Sequence, residues 1–218
     1  MGDCLVVFVK EPRPGRVKTR LAAAIGDEDA AAVYRAMAEA VLAATVPEAA
    51  EYERLVFYDP PDAGERMRAW LPAGRLRRQG AGDVGARMAD AFARCFARGA
   101  GRVAVVGSDA PGVGNAEARA AFAALAAHDV VLGPAHDGGY WLVGLRAPQP
   151  ALFSGIAWST ASVLDETLAR AAAAGLSVAR LGLRRDVDTL EDLRAEWPRV
   201  GPSLDAAVRG RLARAGVP

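Results

Sequence analysis

Two stretches constrain the fold of this chain more than any other feature: CLVVFV, Cys4 to Val9, and RVAVVG, Arg102 to Gly107. A strand with one face in water alternates apolar and polar residues, because successive side chains point to opposite faces. These two scarcely alternate, so both faces must be covered, as in a central strand of a parallel sheet with helices on either side. Other apolar runs keep the same company. RLVFY and RLRRQ fall among helical patterns near Asp27 to Ala44, Ala63 to Trp70 and Asp83 to Arg98. A helix near Asn115 to Ala127 leads into DVVLGP and YWLVGL, then a helix around Ala161 to Ala174 and the run SVARLGL. The rhythm predicts a three-layer α/β/α fold on a mixed, mostly parallel sheet. DVVLGP and YWLVGL are joined by too short a link for a helical crossover, so one of them is expected to run antiparallel. Ser203 to Ala215 reads as a closing helix.

With 218 residues, 52% of them hydrophobic, the chain can fill one such core, and neither a linker nor a repeat divides it; one domain over 1–218 is expected. Its 27 Lys and Arg against 26 Asp and Glu argue against general attraction to nucleic acid or an anionic membrane. No apolar run approaches the roughly 18 residues of a membrane helix, so no membrane insertion is expected. The opening also lacks the basic start and small-residue cleavage site of a signal peptide, which predicts a soluble, cytoplasmic protein. Cys4 and Cys95 lack CxxC spacing and read as buried thiols; His128 and His136 read as loop histidines.

Ligands of open α/β sheets collect beyond the carboxyl ends of the strands, which directs attention to four loops. In EPRPGRVKTR, Gly15 and the prolines shape a turn, and Arg13, Arg16, Lys18 and Arg20 offer donors to a di- or triphosphate; the plain alternative is a solvated basic turn. In GSDAP, Ser108 and Asp109 can present oxygens to Mg²⁺ or Mn²⁺, or Asp109 can cap the next helix. In RRDVD, Asp186 and Asp188 alternate and, if extended, face the same way, with a repulsion that a cation relieves; one of them can instead cap the helix near Thr189. In HDGGYW, Asp137 can hold a sugar hydroxyl, act as a general base or simply close a turn, while Gly138 and Gly139 permit close approach to a ligand.

Tyr140 and Trp141 read as core or pocket walls. Ser159 and Thr160 read first as N-caps of the helix after Trp158 and second as acceptor contacts. GAGDVG formally matches GxGxxG, but it sits in mid-chain behind a poor strand, so Asp83 or Arg87 is read as a contact to a base, ribose or substrate.

Together KEPRPGRVKTRLA, QGAGDVGARM, VVGSDAP, GPAHDGGYWLVGL, WST and DVDTLEDL, in this order, resemble the radical-SAM/selenodomain-associated transferases, some of which are linked to arsenosugar biosynthesis. That family is glycosyltransferase-A-like and related to the phospholactate guanylyltransferases of deazaflavin cofactor biosynthesis. The resemblance implies a nucleotide-diphospho-sugar transferase (GT-A) fold, a divalent metal, and transfer of a sugar or a nucleotidyl group. Lys18 and its neighbours resemble the phosphate grip, Asp109 the metal-binding aspartate, and Asp186 with Asp188 the further acidic pair of the guanylyltransferases. SDAP departs from the usual DxD by leaving a single carboxylate there. The leading expectation is a metal-dependent glycosyltransferase taking a nucleotide sugar and a small-molecule acceptor, with Asp137 and Lys18 catalytic. The alternative is a nucleotidyltransferase taking a nucleoside triphosphate and a phosphorylated acid.

Overall fold

The computed structural model describes residues 2–218. Seven strands form one sheet: β1 Asp3–Lys10, β2 Tyr52–Asp59, β3 Leu76–Arg78, β4 Arg102–Gly107, β5 Val130–Pro134, β6 Tyr140–Leu145 and β7 Val178–Arg180. Their spatial order is β3-β2-β1-β4-β6-β5-β7. Every pairing is parallel except the two made by β6, which runs antiparallel to both β4 and β5. The short link after DVVLGP thus reverses the chain as expected. The helices are α1 Thr19–Ile25, α2 Asp27–Ala44, α3 Gly64–Trp70, α4 Val84–Ala97, α5 Asn115–Ala124, α6 Val163–Ala173, α7 Leu190–Ala195, α8 Trp197–Val200 and α9 Ala206–Arg214.

β1 shows why its sequence is an unbroken apolar run. Leu5, Val7 and Val9 enter one core with Leu21, Tyr34, Met37 and Leu193, whereas Cys4 and Val6 enter a second core with Met88, Phe92 and Cys95. Each side of the sheet has its own helical layer, so neither set of alternating residues reaches water. Cys4 and Cys95, far apart in sequence, meet between β1 and α4 with their sulfurs 3.6 Å apart; both are free buried thiols. Among the described residues no helix is long and apolar enough to cross a membrane.

Three local features place the site. Asp83 precedes α4 and its Oδ1 accepts from the Ala86 amide at 2.8 Å, so α4 starts where this N-cap puts it. Thr189 caps α7 reciprocally with Asp192: Thr189 Oγ1 accepts from the Asp192 amide and Asp192 Oδ2 from the Thr189 amide. This leaves Asp188 uninvolved in capping. The third feature corrects the sequence reading. The helix after Trp158 begins only at Val163, so Ser159 and Thr160 are not its N-caps; Thr160 Oγ1 instead bonds the Ala157 carbonyl and the Ser162 hydroxyl inside the preceding turn.

Candidate active site

The carboxyl ends of β1, β4 and β5 converge with the segment that follows β7. Backbone hydrogen bonds draw that segment in: Arg184 donates to Pro134, His136 to Arg184, and Val187 to Asp109. Val187 is fully buried, and its neighbours Asp186 and Asp188 are turned toward Asp109, as extended alternation requires. Two carboxylates near the end of the chain thereby join one from its middle.

Lys18 stands at their centre. Its Nζ lies 2.8 Å from Asp109 Oδ2 and 2.7 Å from Asp188 Oδ1, and its side chain is 5% exposed. The residue immediately precedes α1 in a left-handed conformation, φ 48° and ψ 46°, which costs an L-residue with a β-carbon roughly 1–2 kcal/mol. Burial opposes its charge, but the two carboxylates outweigh burial and raise the ammonium above its ordinary value, so Lys18 is a cation throughout the physiological range. Asp109 answers in kind: against burial, the Lys18 charge holds its carboxyl below the usual value. Arg20 completes the network by pairing with Asp188.

Asp186 is different. Its Oδ1 is buried without a hydrogen-bond partner, and burial, reinforced by the charges of Asp109, Asp137 and Asp188, pushes its carboxyl up to about 8. An orphaned carboxylate oxygen beside a second carboxylate is a donor set that a hard divalent cation relieves. Among the described residues no three acidic, His or Cys side chains form a complete metal site by themselves. Asp109 and Asp186 therefore fit Mg²⁺ or Mn²⁺ in the manner that leaves several positions to phosphate oxygens and water.

Two cavities open here and share the residues Lys10, Tyr34 and Asp109. One, of about 440 Å³, is largely apolar, with Phe8, Val84, Met88, Val105 and Tyr140 among its walls. The other, of about 790 Å³, is ionic and includes Arg16, Lys18, Arg20, Asp137 and Asp188. Tyr34 lies beneath both. Its hydroxyl accepts from the Lys10 amide at 2.7 Å and lies 2.9 Å from Ser108 Oγ, and burial pushes its pKa up to about 12. Ser108 is thus engaged with Tyr34 rather than offered to a cation.

The sequence-predicted residues divide accordingly. Lys18, Arg20, Asp109, Asp137, Asp188, Ser159 and Thr160 line the ionic cavity; Asp83, Arg87, Ser108, Asp109 and Tyr140 line the apolar one. Arg13, Gly15, Gly138, Gly139 and Asp186 line neither. Gly15 makes its turn at φ 71° against Asp27. Asp83 lines the wall but spends its carboxylate on the α4 cap, and Arg87 pairs with Asp59 at 3.0 Å.

Gly138 does permit a close approach, but of the protein's own backbone. A β-carbon there would sit 2.2 Å from the Ala161 carbonyl oxygen, and its φ is 86°. Gly139 donates its amide to Asp137 Oδ1 at 2.9 Å, so Asp137 closes an Asx turn while remaining exposed in the ionic cavity. Gly85, from the formal GxGxxG match, makes room for the Trp158 ring, whose atoms would lie 2.4 Å from an added β-carbon.

Lys10 escaped the sequence reading, although a signal was present. The chain has only two lysines against 25 arginines, and both are in the first 18 residues. A composition that uses Arg nearly everywhere keeps Lys where the compact ammonium has a purpose that the guanidinium fork does not serve.

The family model described as an uncharacterized protein conserved in bacteria, DUF2064, matches residues 42–160, more than half of the chain. No curated protein matches the chain significantly. Among solved structures, a candidate nucleotide-diphospho-sugar transferase from Desulfovibrio desulfuricans G20 is 32% identical, with TM-score 0.87 over 99% of this chain and 96% of that one. The 4-diphosphocytidyl-2C-methyl-D-erythritol synthase of Anaerococcus prevotii DSM 20548 is 11% identical, with TM-score 0.55 over 88% of this chain and 94% of that one. Rv0371c of Mycobacterium tuberculosis H37Rv, in complex with manganese, is 19% identical, with TM-score 0.51 over 89% and 97%. The last two likenesses are of fold alone. The mostly parallel seven-stranded sheet flanked by helices is the fold of the candidate nucleotide-diphospho-sugar transferase from Desulfovibrio desulfuricans, and this chain belongs to the DUF2064 family.

Proposed function

We propose that the chain acts as one transferase domain that moves a sugar from a nucleotide sugar to a small-molecule acceptor with the help of Mg²⁺ or Mn²⁺. The observation that carries this reading is the pair of joined cavities, one apolar and one ionic, meeting at Lys10, Tyr34 and Asp109. A nucleotide has the same division: a flat base and ribose at one end, a charged diphosphate at the other. The reading is also supported by the Desulfovibrio desulfuricans relative, a candidate nucleotide-diphospho-sugar transferase, and by the manganese complex of a protein with this fold.

Asp109 and Asp186, with Asp188 beside them, are the residues to hold the cation. Bound there, it would neutralise charge developing on the leaving diphosphate. Lys18 fixes Asp109 and Asp188 relative to each other and adds a positive charge that needs no reorganisation when the transition state forms. Arg20 and Arg16 flank the leaving group in the ionic cavity. Asp137 has one oxygen held by the Gly139 amide, which orients the carboxylate to hold a sugar hydroxyl or to accept the acceptor's proton.

A second reading, nucleotidyl transfer from a nucleoside triphosphate to a phosphorylated acid with release of pyrophosphate, is favoured by the single carboxylate of SDAP together with the Asp186 and Asp188 pair. Thermal shift in Mg²⁺ against nucleotide sugars, nucleoside diphosphates and nucleoside triphosphates separates the two, because a ligand that binds the native state raises its stability by RT ln(1 + [L]/Kd). Preference for a nucleotide sugar is the expected result. Preference for a triphosphate over every nucleotide sugar moves the assignment to nucleotidyl transfer, and silence across all three classes removes both.

A further inference from the structure

Lys18 and Arg20, two of the four cations that the sequence offered to phosphate, are already engaged with carboxylates, and so is Arg87 of the apolar cavity. Lys18 lies on two carboxylates, Arg20 on Asp188 and Arg87 on Asp59, so a phosphate reaching any of them competes with a carboxylate. Lys10 has no such bonded partner: its side chain is exposed, and among the described residues its ammonium makes neither a hydrogen bond nor an ion pair, while its charge helps to hold the nearby Asp109 carboxyl below the usual value. Its backbone, by contrast, is fixed. Lys10 ends β1, pairs in register with Asp59, and donates its amide to Tyr34 Oη, which is tied in turn to Ser108. A rigid base therefore carries an exposed ammonium without an ion-pair contact at the junction of the two cavities. Arg16, also without an ion pair among the described residues, reaches the ionic cavity only.

We propose that Lys10 binds the nucleotide phosphate nearest the nucleoside, where a ligand passes from the apolar cavity into the ionic one. The assignment rests on the nucleotide-transfer reading above and adds a residue and a subsite to it. A bound nucleotide must cross between the cavities beside Lys10, Tyr34 and Asp109, and of these only Lys10 carries a positive charge to meet an anhydride oxygen there. A lysine suits a phosphate that shifts during reaction, since its ammonium is a point charge with three donors on a flexible stem, whereas guanidinium fixes a bidentate geometry.

Calorimetric titration of the wild-type chain, Lys10→Ala and Lys10→Arg with inorganic pyrophosphate, with inorganic phosphate, with each of the four nucleoside triphosphates and with the nucleotide sugars used in the thermal shift, all in Mg²⁺, tests the assignment. Loss of a charge-assisted hydrogen bond predicts that Lys10→Ala weakens pyrophosphate and the best triphosphate by roughly tenfold or more. Lys10→Arg recovers most of that loss, and the melting temperature of Lys10→Ala stays close to wild type because the side chain is exposed. Unchanged affinity in Lys10→Ala, or a loss confined to inorganic phosphate, overturns the Lys10 assignment and leaves the nucleotide reading standing. A wild-type chain that binds neither pyrophosphate nor any triphosphate or nucleotide sugar overturns the nucleotide reading, and Lys10 with it.

Discussion

The apolar and ionic cavities share a wall but are built on opposite terms. Around the apolar one most polar groups are satisfied. Asp83 caps α4, Arg87 pairs with Asp59, the Gln79 amide donates to the Phe57 carbonyl, and Trp158 occupies the space that Gly85 leaves; the Tyr140 hydroxyl, buried without a partner, is the exception. Around the ionic one the local rules are broken. Lys18 and Ser159 have positive φ, and Asp186 beside the cavity keeps an orphaned oxygen. A chain tolerates such violations where function requires them and is consistent elsewhere. The comparison teaches that polar groups around the apolar cavity are mostly paired, whereas strained backbone and an unpaired carboxyl oxygen gather around the ionic one.

The largest expected effect tests the ionic side. Asp109→Ala removes the carboxylate shared by Lys18 and the proposed cation, and turnover of the donor found by thermal shift should fall roughly 100-fold or more, the scale of one lost electrostatic stabiliser. A drop of less than tenfold would place the chemistry elsewhere. Next comes the seam between the HDGG turn and the 159–161 loop. Gly138→Ala puts a β-carbon into the Ala161 carbonyl at a φ of 86°, and neither backbone can swing aside; a loss of about 2–3 kcal/mol is expected from denaturant titration.

Gly85→Ala makes the corresponding intrusion on the apolar side. There the obstacle is the Trp158 side chain, so about 1–2 kcal/mol should be lost, and Trp158→Leu added to the same chain should recover part of it. If the two singles simply add, the Trp158 contact is not what Gly85 serves.

The smallest effect concerns pH. Asp109 has a carboxyl held below its ordinary 3.8, so its contribution to stability is complete above that value and drains away as pH falls through and below it. The raised ammonium of Lys18 contributes at every pH below its unfolded value and is lost only at strongly alkaline pH. Melting temperature should therefore fall less steeply in acid for Lys18→Met than for wild type. Parallel acid limbs would mean that the pair contributes nothing measurable to stability.

Much of the scaffold is legible in the sequence. The apolar runs of β1 and β4, the extent of α2 and the reversal after DVVLGP follow from side-chain alternation and loop length, which are properties of consecutive residues. The sequence starts α6 two residues early because Ser159 and Thr160 look like caps, and cap chemistry does not reveal that Ser159 adopts a φ of 65° and Thr160 bonds backward. α1 and the Lys18 turn went unseen within a basic stretch whose charges suggested only a loop.

The sequence by itself determined the layered fold, the loops that carry chemistry and the residue types available there, because hydrophobic periodicity and turn chemistry act locally. Only the tertiary structure decided which charges meet. Lys18 is 91 residues from Asp109 and 170 from Asp188, and nothing in the spacing of the chain indicates that a presumptive phosphate grip would bind carboxylates instead. That pairing depends on β1 lying beside β4 and on the backbone bond from Val187 to Asp109, both of which arise from the packing of distant elements. The same packing brings the Cys4 and Cys95 sulfurs together and sets Lys10 beside Asp109 at the junction of the cavities, since burial and electrostatic company are properties of the folded chain and not of the sequence neighbours.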